Sequence, residues 1–119
     1  MIMRVWRTQV DVTRAAEYER FAAEESLPMF RAHQGFTGLL FGRHGADCVV
    51  VTLWEDDAAA DALEDSPRYL DTVARIGAAG FLSGQSAVER FTLHGEALAG
   101  FARPPWWQED QADDRTDGK

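Results

Sequence analysis

The side chains of this sequence best suited to hold or transform a small molecule are Arg7, His33, Trp54 and Tyr69. Arg7 lies in a β-rich run, and a charge on a central strand needs a partner or a ligand. Alternation makes Val5 and Gln9 its neighbours. Arg7 therefore points into a polar cavity or toward a seam between subunits, in a salt bridge or against an anion. His33 falls near a helix C-terminus, where the macrodipole favours imidazolium, and is read as a general base or as a cap. Trp54 ends a strand and packs on a ligand ring or in the core. The Tyr69 hydroxyl hydrogen-bonds a ligand phenol or reaches water from a mostly buried ring.

Other chemistries lack their residues. His33, His44 and His94 fall on separate elements with no ligand spacing, so no metal site is expected. Cys48 is the sole cysteine, which excludes an internal disulfide and a thiolate cluster; it reads as a small hydrophobe in a buried strand. Walker, dinucleotide-binding and Gly-x-Ser-x-Gly patterns are absent. A formal net charge of -8 argues against a nucleic-acid partner. No apolar run approaches the roughly 20 residues of a membrane span, and Met1-Ile2-Met3-Arg4 does not open a signal peptide. The expected location is the cytoplasm.

At 119 residues, 45% of them hydrophobic, the chain has material for one domain with a real core. Residues 3–12 read as a strand, and Thr13 as the cap of a helix over 15–33, with Glu17 near the capping-box position. Tyr18, Phe21, Ala22, Met29 and Phe30 recur on one face of that helix, and Pro28 is expected to kink it. Gly35-Phe36-Thr37-Gly38 leads into a short second strand, LLFGR. Gly45-Ala46-Asp47 then turns into a third strand over 48–54. Asp56 or Asp57 caps an alanine-rich helix that Ser66-Pro67 interrupts and Gly77 and Gly80 end. Residues 87–93 form the last strand.

The order is β-α-β-β-α-β, a ferredoxin-like α+β domain over residues 1–95 with an antiparallel sheet. Its first and third strands are central and its second and fourth are edges. The third strand, CVVVTLW, is apolar on both faces. Two-sided burial needs cover on both sides of the sheet, and one small domain has too few helices for that. The missing cover is expected to be a second copy of the chain, making a homodimer. Residues 96–108, with Phe101, Pro104, Pro105, Trp106 and Trp107, are expected to dock on a surface at or across the dimer interface. Residues 109–119 have the composition of a disordered acidic tail.

Gly35-Phe36, Leu53-Trp54-Glu55, Ser66-Pro67-Arg68 and Gly80-Phe81, in this order and spacing, make residues 3–94 resemble the antibiotic biosynthesis monooxygenase (ABM) domain of the dimeric α+β barrel superfamily. The resemblance implies two sheets packed face to face, with a pocket in each subunit between sheet and helices. It further implies oxygenation of aromatic phenols with no metal or flavin cofactor, the substrate carbanion itself reacting with oxygen. Trp54 matches the tryptophan of that site. The asparagine four residues before it is Val50 here, and the tyrosine six residues after it is Ala60. Haem-degrading relatives carry a histidine in the second helix, whereas 68–77 has none and Val73 stands at about that place.

The reading that follows is a cofactor-free, ABM-like monooxygenase acting on a small hydrophobic, aromatic or polyketide-like molecule. Trp54, Tyr69 and Arg7 would line its pocket, and His33 would abstract a proton. The alternative is a non-catalytic dimer of the same fold that binds a small hydrophobic ligand. Val50 and Ala60 favour it, because they leave little machinery for oxygen chemistry.

Overall fold

The computed structural model describes residues 1–97. The apolar segment from 98 to 108 and the acidic tail over 109–119 lie outside the described residues. Strands β1 (Ile2–Gln9), β2 (Phe36–His44), β3 (Asp47–Trp54) and β4 (Ala87–Thr92) form one antiparallel sheet in the order β2-β3-β1-β4. Helices α1 (Ala15–Phe21), α2 (Leu27–Arg31), α3 (Asp57–Asp65) and α4 (Pro67–Ala78) complete the ferredoxin-like α+β fold, with β1 and β3 central as expected.

β1 is shorter than its sequence pattern suggested. The Asp11 carboxylate accepts from the Thr13 amide at 3.0 Å and from its hydroxyl at 2.7 Å, which coils Val12–Arg14 into a 3₁₀ turn. The residue that caps this entry is thus Asp11, not Thr13. Glu17 pairs with Arg14 at 2.9 Å instead of closing a capping box.

The first long helix carries a defect where Pro28 required one. Pro28 has no amide hydrogen and its ring crowds the carbonyl four residues back. The chain answers with a π-helical stretch over Ala22–Ser26, in which the Leu27 amide reaches back five residues to the Ala22 carbonyl. Helicity resumes in α2, which carries Met29 and Phe30 into the core. The later helices start as read: Asp56 accepts from the Ala59 amide at 2.9 Å, and Ser66 caps α4 with Pro67 as its first residue.

Gly35 is required at the turn into β2. Its φ is +87°, and an added Cβ would stand 2.5 Å from the Ala59 side chain, so α3 crosses directly over this backbone. The Gly35 carbonyl also accepts from the Glu55 amide at 2.9 Å, tying the turn to the end of β3.

The strand register sorts the sheet into two faces. Arg4, Trp6 and Thr8 of β1 and Cys48, Val50, Thr52 and Trp54 of β3 face the helices. Ile2, Val50 and Trp54 pack with Met29, Phe30, Ala60 and Leu63 in one core cluster. Cys48 packs with Val10, Tyr18, Ile76 and Phe81 in a second. The opposite face carries Val49, Val51 and Leu53, flanked by Met3, Val5, Leu40 and Phe91. No described helix covers it, and Leu40 and Phe91 are 47% and 44% exposed.

Candidate functional site

A cavity of about 440 Å³, counting its open mouth, lies between the helix-side face of the sheet and the helices. β1 contributes Arg4 and Trp6, β2 Phe41 and β3 Val50. Tyr18, Ala22, Ser26, Met29 and Phe30 come from the first helical stretch, and Tyr69, Thr72, Val73 and Ile76 from α4. The π-helical turn forced by Pro28 thus supplies part of the wall. The lining is mostly apolar and aromatic, as it is at small-molecule sites.

Arg4 brings a charge to this wall. Its side chain is 3% exposed. Its Nε donates to Glu64 Oε2 at 2.8 Å and its Nη2 to the Tyr69 hydroxyl at 2.6 Å. Glu64 is held in turn by Arg90 of β4 at 3.0 Å, and Arg90 also grips Asp61 at 2.8 Å and Asp57 at 3.2 Å. Burial pushes the Glu64 carboxyl up. The hydrogen bonds and charges of Arg4 and Arg90 together outweigh it and hold the carboxyl below its ordinary value.

Ser26 is 8% exposed, and its hydroxyl has no partner among the hydrogen bonds of the described residues. Burial pushes the Tyr18 hydroxyl far above its usual range, reinforced by the Cys48 thiol beside it. Burial raises the Cys48 thiol as well. Both stay neutral near pH 7, so this end of the cavity presents no reactive anion.

No protein-family model matches the sequence, and no curated protein matches it. Solved structures do. A monooxygenase from the ActVA-Orf6 gene of Streptomyces coelicolor, solved with nanaomycin D, superposes with a TM-score of 0.71 at 19% identity, over 82% of this chain and 90% of that one. SnoaB, a cofactor-independent oxygenase of Streptomyces nogalater, gives 0.67 at 22% identity, over 80% and 94%. Rv0793 of Mycobacterium tuberculosis gives 0.65 at 20%, over 81% and 97%. The fold is that of the antibiotic biosynthesis monooxygenases.

On this ABM fold the four expected site residues part company. Tyr69 lies on the cavity wall. Trp54 is fully buried in the neighbouring core, edge-on to Phe36 at 5.7 Å. Its indole N–H donates to Thr52 Oγ1 at 2.8 Å, so its polar atom is used internally. Trp54 stands behind Met29, Phe30 and Val50, which do line the cavity. Ala60 is also sealed in the core, whereas Val50 faces the cavity.

His33 is not on the wall either. A carbonyl only accepts, so Nδ1–H donates to the Met29 carbonyl at 2.8 Å. Nε2 lies 2.7 Å from Ser66 Oγ, and in the neutral ring it accepts that hydroxyl's hydrogen. The ring joins the end of α2 to the cap of α4. Arg7 points to the uncovered sheet face, away from the cavity, and reaches Glu89 at 3.2 Å with 61% of its side chain exposed. Of the two orientations open in the sequence, the one away from the cavity is observed.

Arg4 was missed because it falls among the first residues, before any recognisable motif. The alternation Ile2-Arg4-Trp6 was the available signal, since it puts a charge on an apolar face. No group of His, Cys, Asp and Glu among the described residues could hold a metal. No described helix is long and apolar enough to cross a membrane.

Proposed function

We propose that this protein is a small oxygenase that binds an aromatic or polyketide-like molecule in the cavity between sheet and helices, without a bound cofactor. The observation that carries this reading is an aromatic-lined cavity whose wall presents one buried cation, Arg4, hydrogen-bonded to Tyr69. The reaction would be that of an activated methylene: R₂CH₂ loses a proton, the delocalised carbanion meets O₂, and R₂C=O and water are formed. The cavity's part is to orient the ring, exclude water and hold the electron-rich oxygen. Tyr69 contacts the ligand in this reading. Trp54 braces the wall from behind, and His33 fixes α2 against α4.

The uncovered sheet face supports a homodimer in which two sheets pack against each other through Val51 and Leu53, with Arg7 beside Val49. The second reading, a dimer that binds without turnover, draws support from Val50 and Ala60 and from the absence of histidine or carboxylate on the described cavity wall. An oxygen electrode separates the two readings. Purified protein offered anthrones and naphthols should consume oxygen in step with substrate. Tight binding with no uptake would leave the binding reading alone.

A further inference from the structure

Arg4 has five N–H donors, and the described residues accept from only two of its nitrogens, Nε and Nη2. Nη1 has no acceptor among them, although the side chain is 3% exposed and lines the cavity. Buried donors left unpaired cost free energy, and the effect is larger when the group is charged. A second polar group on the same wall, Ser26, is also buried and unpartnered among the described residues. Two such groups on one cavity mark it as shaped for an oxygen that arrives with a ligand.

The charges around Arg4 leave that oxygen's charge defined. Glu64 on α3 faces its Nε, Tyr69 on α4 its Nη2, and Arg90 on β4 shares Glu64 with it. Asp57 and Asp61 are solvent-exposed and engage Arg90, not Arg4. Tyr18, across the cavity, is neutral. Arg4 is the one charged residue on the described wall. An anion there gains a partner. A localised carboxylate would still lose most of its hydration against Trp6, Phe30 and Phe41, whereas an anion spread over an aromatic ring loses much less.

We infer that Arg4 is the specificity-determining residue of this cavity and that it receives the ionised oxygen of a hydroxy-aromatic or enolic ligand, which binds as the anion. This deepens the oxygenase reading and rests on the same cavity, but it concerns binding and requires no turnover.

The test is spectroscopic and uses the full chain with 4-nitro-1-naphthol, whose anion absorbs in the visible. An apolar cavity without a cation raises a phenol's pKa, whereas an adjacent guanidinium lowers it. The expected result is a bound probe whose apparent pKa falls by about one unit, equal to roughly tenfold tighter binding of the anion than of the phenol. Arg4→Met should weaken anion binding by more than about tenfold, which reverses the direction of the shift, and Arg4→Lys should restore part of it. An upward shift on the wild-type protein overturns the inference with no variant needed. So does absence of probe binding, or tighter binding of 1-naphthoate than of the naphtholate. A downward shift with no oxygen uptake on anthrones would sink the oxygenase reading and leave this one standing. Uptake with an upward shift would do the reverse.

Discussion

Trp54 and Arg4 sit on the same face of adjacent central strands, and both are almost wholly buried, yet their surroundings do opposite things. Around Trp54 everything is closed: its indole N–H is bonded to Thr52, its ring meets Phe36, and Ala60 and Leu63 of α3 seal it completely. Around Arg4, donors remain and space remains. What separates the two regions is the roof. α3 lies close enough to Gly35 to leave no room for a Cβ, while the cavity that Arg4 lines is walled in part by the π-helical turn before Pro28. One half of the helix layer is packed for stability and the other is held open.

Removing Trp54 should break that comparison most severely. Trp54→Ala empties a fully buried site and should cost about 3–5 kcal/mol, measured by urea unfolding. Trp54→Phe keeps a ring and loses the indole N–H together with volume, so it should remain folded. The sharper outcome is that Trp54→Phe leaves ligand affinity within about twofold, because the ring does not line the cavity. A loss of affinity as large as that expected for Arg4→Met would place Trp54 in the site after all.

A smaller effect should come from the carboxylate that pins Arg4. The Glu64 carboxyl titrates below its ordinary 4.5 in the folded protein. Its contribution to stability is therefore fully present above 4.5 and is lost as pH falls through the lowered value. The wild-type melting temperature should drop through this window more steeply than that of Glu64→Gln, which has no proton to take up there. Parallel curves would mean that Arg4 and Arg90 do not favour the ionised form, and the network would lose its electrostatic meaning.

The fold was legible because it depends on patterns that survive averaging over many residues. A run apolar on both faces marked β3, and Asp56, Ser66-Pro67 and Gly35 placed helix ends and turns through local chemistry that needs no partner. Site membership depends on which residues a third element covers, and no local pattern carries that. Trp54 and Tyr69 look equally suited to a ligand in the sequence. The approach of α3 decides that one is sealed and the other stands on the wall. His33 illustrates the same point. Its position at a helix end was readable, but its bond to Ser66, 33 residues away, was not. For Arg4 the alternation Ile2-Arg4-Trp6 gave the face, but not the partners, because Glu64 and Tyr69 are distant in sequence and meet it only in the fold.

The smallest expected effect concerns the other face of the sheet. Arg7 and Glu89 form an ion pair with 61% and 52% of their side chains exposed, and such pairs contribute little in water. Arg7→Ala should therefore change the stability of the isolated chain by no more than about 0.5 kcal/mol. The same residue becomes informative if a second sheet covers that face. Arg7→Glu would then place two acids side by side in a region losing its water, and like charges brought together on docking oppose association. Sedimentation over a range of concentrations should show a wild-type dimer, and an Arg7→Glu dimer that dissociates at roughly tenfold higher concentration. Two other results would be decisive. A wild-type monomer throughout would remove the partner that the apolar face was argued to need. An unaltered dimer would mean that the chains meet through some other surface, leaving Leu40 and Phe91 exposed without a reason.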